Sequence, residues 1–397
     1  MIKCYNDSNV EFGKKGAFVK SVSALIKPAS SLCNLRCKYC FYCDVAAHRE
    51  TESYGVMKPE VSHAVVDRLI DATDEGGTVL FSFQGGEPTL AGVEFFRAFT
   101  AYATEKSAGR CTVSYAIQTN GIALDDEFCE LLAKYRFLVG LSLDGDEVTH
   151  NYNRVDAAGQ GTHKRIMNAV KLLRKHKVDF NILSVVTETM AKHPQSVFRF
   201  YMKNGMDFLQ FIPCLQPLDE SGQGAAPDGP HVDAPYTLRA RTYSDFLIKM
   251  FRLWKEEILR GKQLSIRLFD NIVGMYLGIP PEQCGVYGRC QNQLIIEGDG
   301  SVYPCDFYVL DGFLCGNVLT DPVETLLNGA GAQAFLAMDP PKNPRCPTCP
   351  YLSMCGGTCK RYRAFYSSEP NFCPYEHFLS QVQGDIAELV RYFRARR

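Results

Sequence analysis

Through the first half of the chain, short β-branched and aromatic runs alternate with longer stretches in which apolar residues return every three or four positions. Six runs predict strands: Ala24 to Lys27, Thr78 to Phe83, Thr112 to Ile117, Phe137 to Leu143, Phe180 to Val186 and Phe208 to Ile212. Between them, Val61 to Ala72, Glu94 to Glu105, Glu127 to Tyr135, Thr162 to Lys175 and Pro194 to Lys203 carry helical periodicity. Strands alternating with helices of this length build parallel βαβ units, as a doubly wound sheet or as a full or partial barrel. Six strands favour a partial (β/α)6 barrel.

The alternation stops at Gln216 to Tyr236, where Gly222, Gly224, Pro227, Gly229, Pro230 and Pro235 predict an irregular insertion. Tyr243 to Leu259 again predicts a helix, cysteines crowd the tract from Cys284 to Cys373, and Glu376 to Arg394 predicts a closing amphipathic helix. The expected organisation is an extension at 1–20, the barrel at 21–238, a helical connector at 239–283, a cysteine-rich domain at 284–375 and the last helix at 376–397. A short, polar, cysteine-dense tract has too little apolar surface to fold by packing alone, so ligation is expected to hold it.

Composition narrows the class. With 46% hydrophobic and 22% charged residues the chain is expected to fold as a globular protein. Its 43 Lys and Arg against 44 Asp and Glu leave a formal charge of −1, which provides no general attraction to nucleic acid or an anionic membrane. The start, with Glu11 and Lys14-Lys15, lacks the apolar stretch of a signal peptide, and no apolar run approaches the roughly 20 residues of a spanning helix. A cytoplasmic protein is expected. There thiols stay reduced, and the 17 cysteines, an odd number, point to metal or cluster ligation over disulfides.

The first cysteine group, Cys33-Asn34-Leu35-Arg36-Cys37-Lys38-Tyr39-Cys40, is a C-x3-C-x2-C run in the loop after the first strand. Three ligands leave one iron of an Fe–S cluster open, whereas structural zinc closes its tetrahedron, here with Cys43 as the available fourth thiol. In parallel α/β folds, ligand sites lie at the carboxyl ends of strands, where this loop falls. The second strand ends in Phe83-Gln84-Gly85-Gly86-Glu87-Pro88, whose paired glycines admit close backbone approach. Farther on, Cys284-x5-Cys290 precedes a hairpin turning at Asp299-Gly300 and returning to Cys305. Cys346-x2-Cys349-x5-Cys355-x3-Cys359 and Cys373 follow. Eight thiols divide into two sets of four, for two clusters or two zinc ions.

The C-x3-C-x2-C run with Tyr39 before its last cysteine resembles the signature of the radical S-adenosylmethionine enzymes, and the later ladder resembles their SPASM domain. The resemblance implies a partial barrel of the radical SAM type with a C-terminal SPASM domain. It implies S-adenosylmethionine and three [4Fe–4S] clusters as cofactors, the first on Cys33, Cys37 and Cys40. By the same pattern Cys284, Cys290, Cys305 and Cys359 hold one auxiliary cluster, and Cys346, Cys349, Cys355 and Cys373 the other. Tyr39, Gly86, Ser142, Arg154 and Leu215 fall at cofactor-contact positions.

Long matching stretches narrow the resemblance to the anaerobic sulfatase-maturating enzymes, among them Ile26 to Ser31, Phe83 to Gly92, Gln118 to Gly121, Leu209 to Ile212 and Tyr303 to Asp311. These enzymes oxidise a cysteine or serine of a sulfatase to Cα-formylglycine. Asp306 then matches the family's base, while Tyr42, Gln84 and Gln118 are candidates to bind the substrate peptide from strand-end loops. Implied partners are the sulfatase polypeptide and an electron donor such as flavodoxin or ferredoxin. A maturase that installs thioether or carbon–carbon cross-links, and a zinc-stabilised binding protein without catalysis, are the alternatives.

Overall fold

The computed structural model describes residues 19–220, 222 and 234–396. Residues 1–18 of the expected extension, with Cys4, and residues 221 and 223–233 of the expected insertion lie outside them. In the first half the elements are β1 (Val19–Ile26), α1 (Phe41–Ala47), α2 (Pro59–Asp71), β2 (Thr73–Phe83), α3 (Val93–Ser107), β3 (Thr112–Thr119), α4 (Asp126–Lys134) and β4 (Leu138–Ser142). There follow α5 (Glu147–Asn153), α6 (His163–Lys175), β5 (Phe180–Val186), α7 (Glu188–Ala191), α8 (Pro194–Lys203) and β6 (Phe208–Pro213). Then come α9 (Ala240–Leu259), β7 (Ser265–Ile266), α10 (Arg267–Tyr276), β8 (Leu294–Ile296), β9 (Ser301–Tyr303) and β10 (Gly316–Asn317). The short α11 (Val323–Asn328), α12 (Ala330–Ala337), α13 (Leu352–Cys355) and α14 (Arg363–Tyr366) lead to α15 (Pro374–Arg394).

The six expected strands pair in chain order, β1-β2-β3-β4-β5-β6, every neighbour parallel. Right-handed crossovers in an unreversed order place the connecting helices on one face, which is the arrangement of a partial barrel and not of a doubly wound sheet. Local chemistry explains the elements. In α6, Ile166, Ala169, Val170 and Leu173 form the buried stripe while lysines and arginines face water. α4 begins where the Asp125 side chain accepts from the Phe128 N–H at 2.8 Å. β2 starts at Thr73, five residues before its apolar run, because Thr73 pairs with Val19 across a register shift.

Two features were invisible to periodicity. α1 and α5 have seven residues each, scarcely two turns, too short for a helical repeat to register. The cysteine-rich tract also continues the barrel sheet: β8 pairs parallel with β1, Ala24 opposite Leu294 and Ile26 opposite Ile296, and β9 and β10 extend the edge antiparallel. Ile26, Phe83 and Ile296 are buried in one core. On the opposite side, α15 lies along α9, with the Phe251 and Phe378 rings 5.9 Å apart and Lys255 Nζ 2.5 Å from Asp385.

Because β1 is flanked by β2 and β8, Ile296→Ala should cost about 2–5 kcal/mol through the cavity it opens. Hydrogen exchange should then report faster opening of β1 amides as well as those of β8. Unchanged protection in β1 would show that the two strands open independently.

Candidate active site

The three-cysteine loop is clamped from two sides. Toward β2, the N–H groups of Gln84, Gly86 and Glu87 donate to the carbonyls of Ile26, Ser30 and Leu32 at 2.9, 2.9 and 2.7 Å. The approach is so close that a Cβ on Gly86 would lie 2.2 Å from the Leu32 carbonyl oxygen, so glycine is required there. Toward α5, Arg36 N–H donates to Val155 O at 2.7 Å and Lys38 N–H to Asn153 O at 3.0 Å.

Glu87, which carries no signal in the sequence beyond its place in the turn after β2, is 1% exposed and locks this end of the barrel. Its carboxylate accepts from Thr89 Oγ1 at 2.6 Å, Thr119 Oγ1 at 2.7 Å and the N–H groups of Thr89 and Asn120 at 3.1 and 2.7 Å. Burial raises its pKa, and these hydrogen bonds oppose the shift. Asn120, so anchored, donates to Asn34 Oδ1 at 2.8 Å and reaches Cys33 Sγ at 3.9 Å.

Behind the cysteines lies a second missed anchor, Asp144. It accepts from the Tyr39 hydroxyl, from Arg154 Nε at 2.9 Å and from the Val185 N–H at 3.0 Å. Asp144 and Arg154 are both buried, with the guanidinium 5.5 Å above the Tyr39 ring. Two of the expected cofactor-contact residues, Tyr39 and Arg154, are thus joined through an aspartate whose only sequence signal was its place two residues beyond Ser142. Ser142 ends β4 and accepts from Gln118 Nε2 at 3.0 Å, and Leu215 follows β6, half-buried.

Burial pushes the Cys37 thiol up to about 12 against the pull of Arg154, whereas a hydrogen bond with Cys43 is the main cause holding Cys40 down at about 6. Cys43 itself is exposed. Partly buried thiols gathered in this way lose their protons more readily beside a positive charge, which a metal cluster provides. The thiols of Cys33, Cys37 and Cys40 lie near enough to feel one another's charge. So do Cys284, Cys290, Cys305 and Cys359, and likewise Cys346, Cys349, Cys355 and Cys373. Chain folding therefore brings Cys359 back to the hairpin cysteines, a crossing that spacing does not reveal. Of the remaining thiols, Cys129, Cys214 and Cys315 are buried, and Cys111 is half-buried against the core.

The hairpin leads into a one-turn 3-10 helix, Asp306–Tyr308, packed on α1 with the Phe41 and Phe307 rings 5.1 Å apart. Asp306 Oδ2 accepts from the Tyr42 hydroxyl at 2.7 Å and from Gln84 Nε2 at 3.3 Å, and Gln84 also donates to Tyr42 at 2.7 Å. These partners are side chains from α1 and the end of β2, not the backbone N–H groups of a hairpin end. Burial, reinforced by Asp306, raises the Tyr42 pKa well above its ordinary value, so it remains a donor. Tyr42 lies in the first turn of α1 and Gln118 inside β3, so neither is on a strand-end loop. Gln118 contacts Ser142, separate from the Asp306 group. A further missed residue, Lys27, lies with its Nζ 3.2 Å from Asp306 Oδ1.

A cavity of about 210 Å³ opens at the other end of the strands, beside Phe180 and Phe208, which begin β5 and β6. It holds none of these groups. Among the described residues no helix is long and apolar enough to cross a membrane.

Residues 28–197 match the radical SAM superfamily, and residues 284–350 match SPASM, an iron–sulfur cluster-binding domain. The chain is 39% identical over 354 residues to the cysteine-type anaerobic sulfatase-maturating enzyme of Clostridium novyi (strain NT), covering 89% of this chain and 90% of that one. It is 28% identical over 359 residues to the serine-type anaerobic sulfatase-maturating enzyme of Bacteroides thetaiotaomicron, covering 87% and 84%. Native anSMEcpe with bound AdoMet and Cp18Cys peptide superposes with a TM-score of 0.83 at 34% identity, over 94% of this chain and 99% of that one. The chain belongs to the anaerobic sulfatase-maturating enzymes, radical SAM enzymes with an iron–sulfur-binding SPASM domain.

Proposed function

We propose that this enzyme oxidises a sulfatase cysteine to Cα-formylglycine, with Asp306 as the base. The single observation that carries the reading is the Asp306 carboxylate, beside Cys305 and held by Tyr42 and Gln84, on the same side of the barrel as the three-cysteine loop. The relatives at 39% identity are cysteine-type and the serine-type relatives are 28–30% identical over most of the chain, which favours cysteine as the target. A cross-linking maturase does not account for similarity over nearly the whole chain.

Cys33, Cys37 and Cys40 would hold a cluster with one open iron, and the two sets of four would hold closed clusters. When bound, these groups and S-adenosylmethionine supply a 5′-deoxyadenosyl radical and take up one electron. Tyr39, Gly86, Ser142, Arg154 and Leu215 would line the cofactor, with Asp144 fixing the first and fourth of these. The target Cβ loses a hydrogen atom, the thiol proton passes to Asp306, and a second electron leaves. The carbon–sulfur bond thereby becomes a thioaldehyde, which water converts to the aldehyde with release of hydrogen sulfide. Two electrons leave the substrate in all, one with the hydrogen atom. Tyr42 and Gln84 would orient the base and the peptide, and Gln118 the strand β3 side of the site. A flavodoxin- or ferredoxin-type protein is proposed as reductant and the cytoplasm as the compartment.

Anaerobic incubation with S-adenosylmethionine, reductant and a Cys-type sulfatase peptide should yield the aldehyde by mass spectrometry, with a Ser-type peptide converted less; no aldehyde from either would refute the maturation chemistry. Anaerobically purified protein should contain about twelve irons per chain, from three four-iron clusters, and zinc in their place would refute the cluster assignment. Asp306→Asn should keep cleaving S-adenosylmethionine yet lose most aldehyde. Full retained conversion would remove Asp306 as the base.

A further inference from the structure

Lys27 follows the last residue of β1 and is 2% exposed, a rare setting for a lysine. Its Nζ lies 3.2 Å from Asp306 Oδ1, 3.7 Å from Glu297 Oε1 and 5.0 Å from the centre of the Tyr42 ring. Space for its stem comes from Gly85, at φ +119°, where a Cβ would fall 3.1 Å from Lys27 Cγ. Both the lysine and the glycine that admits it belong to the walls of the proposed site.

Glu297 pairs with this lysine and with a second cation. Arg49 NH1 already donates to Glu297 Oε1 at 2.7 Å, from a guanidinium as buried as the carboxylate. A buried ammonium is costly to keep unless its partner needs it. Of its two carboxylate partners Asp306 is the nearer, and among the described residues it has no cation comparable to Arg49: Tyr42 and Gln84 hold Oδ2, and the Lys27 ammonium faces Oδ1, a buried oxygen to which no hydrogen bond is donated. The terminal torsion of an aspartate is broad and two-fold, so partners on one oxygen alone leave the carboxylate free to swing. A base must stand within about 2.6–3.2 Å of the proton it takes.

We infer that Lys27 is a positioning residue for the proton-accepting step, fixing the orientation of the Asp306 carboxylate through its Oδ1 oxygen. This rests on the reading of Asp306 as the base. Lys27 then acts through Asp306 and makes no demand on cofactor binding or on affinity for the peptide.

The test compares Lys27→Met, Lys27→Arg, Asp306→Asn and the Lys27→Met/Asp306→Asn double variant as anaerobically reconstituted enzymes. The readouts are kcat and KM for a Cys-type sulfatase peptide, aldehyde formed per 5′-deoxyadenosine, iron content and thermal unfolding. Lys27→Met should lower kcat by about 10²-fold, the size of a misplaced catalytic group, with KM and iron content unchanged. Its aldehyde yield per 5′-deoxyadenosine should fall, and Lys27→Arg should restore much of it. The double variant should be no worse than Asp306→Asn alone, as expected for two residues acting as one unit. Full kcat in Lys27→Met, or losses that multiply in the double variant, would overturn the inference. If Lys27→Met does not retain iron, Lys27→Gln, which keeps a polar group beside Glu297, replaces it in the same comparison with the same criteria. An active Asp306→Asn would instead remove the base reading itself, whatever the Lys27 variants do.

Discussion

Everything at the proposed site depends on the end of β1 being paired on both sides. β2 runs parallel along one edge and β8 along the other, with Ile26 opposite both Phe83 and Ile296. The three-cysteine loop leaves this strand, the glycine pair leaves β2, and Glu297 leaves β8. Three segments far apart in the chain therefore emerge side by side, and the barrel and the cysteine-rich tract share one sheet. That continuity aligns Asp306, on the far side of the hairpin, with Tyr42 and Gln84 from the barrel.

Buried carboxylates then finish what the sheet begins. Glu87 ties the end of β2 to the end of β3, and Asp144 ties Tyr39 to Arg154 and to β5. Glu297 sits between Lys27 and Arg49; burial alone would raise its pKa, but the two cations hold it below the usual carboxylate range. Each of these groups is expensive to bury without partners, and each has several. Their shared consequence is rigidity: the loops that carry the cysteines and the proposed base are fixed to the barrel wall by hydrogen bonds that apolar packing would not orient.

Much of this was legible in the chain. The spans of β5 and α8 coincide with the patterned runs, and the cysteine loop, the glycine pair and the eight-thiol ladder stood out because their chemistry demands fixed spacing. Less legible were residues whose importance lies in one long-range contact. Lys27 reads as the polar end of an apolar strand, Glu87 as part of a turn, and Asp144 as a loop aspartate. Gln118 resembles Tyr42 and Gln84 in the linear chain as a polar residue near a strand end, yet its position inside β3 turns it toward Ser142.

By itself the sequence determined the alternating βα order, the three thiols of the first loop and the presence of eight more in the later tract, because periodicity and ligand spacing are local properties of a chain. Only the tertiary structure decided that β8 joins β1, that Cys359 returns to the hairpin set, and that Lys27, Tyr42, Gln84 and Asp306 converge. Those are contacts across tens to hundreds of residues, and they follow from which strand edges pair and which buried charges must meet, information that no local pattern carries.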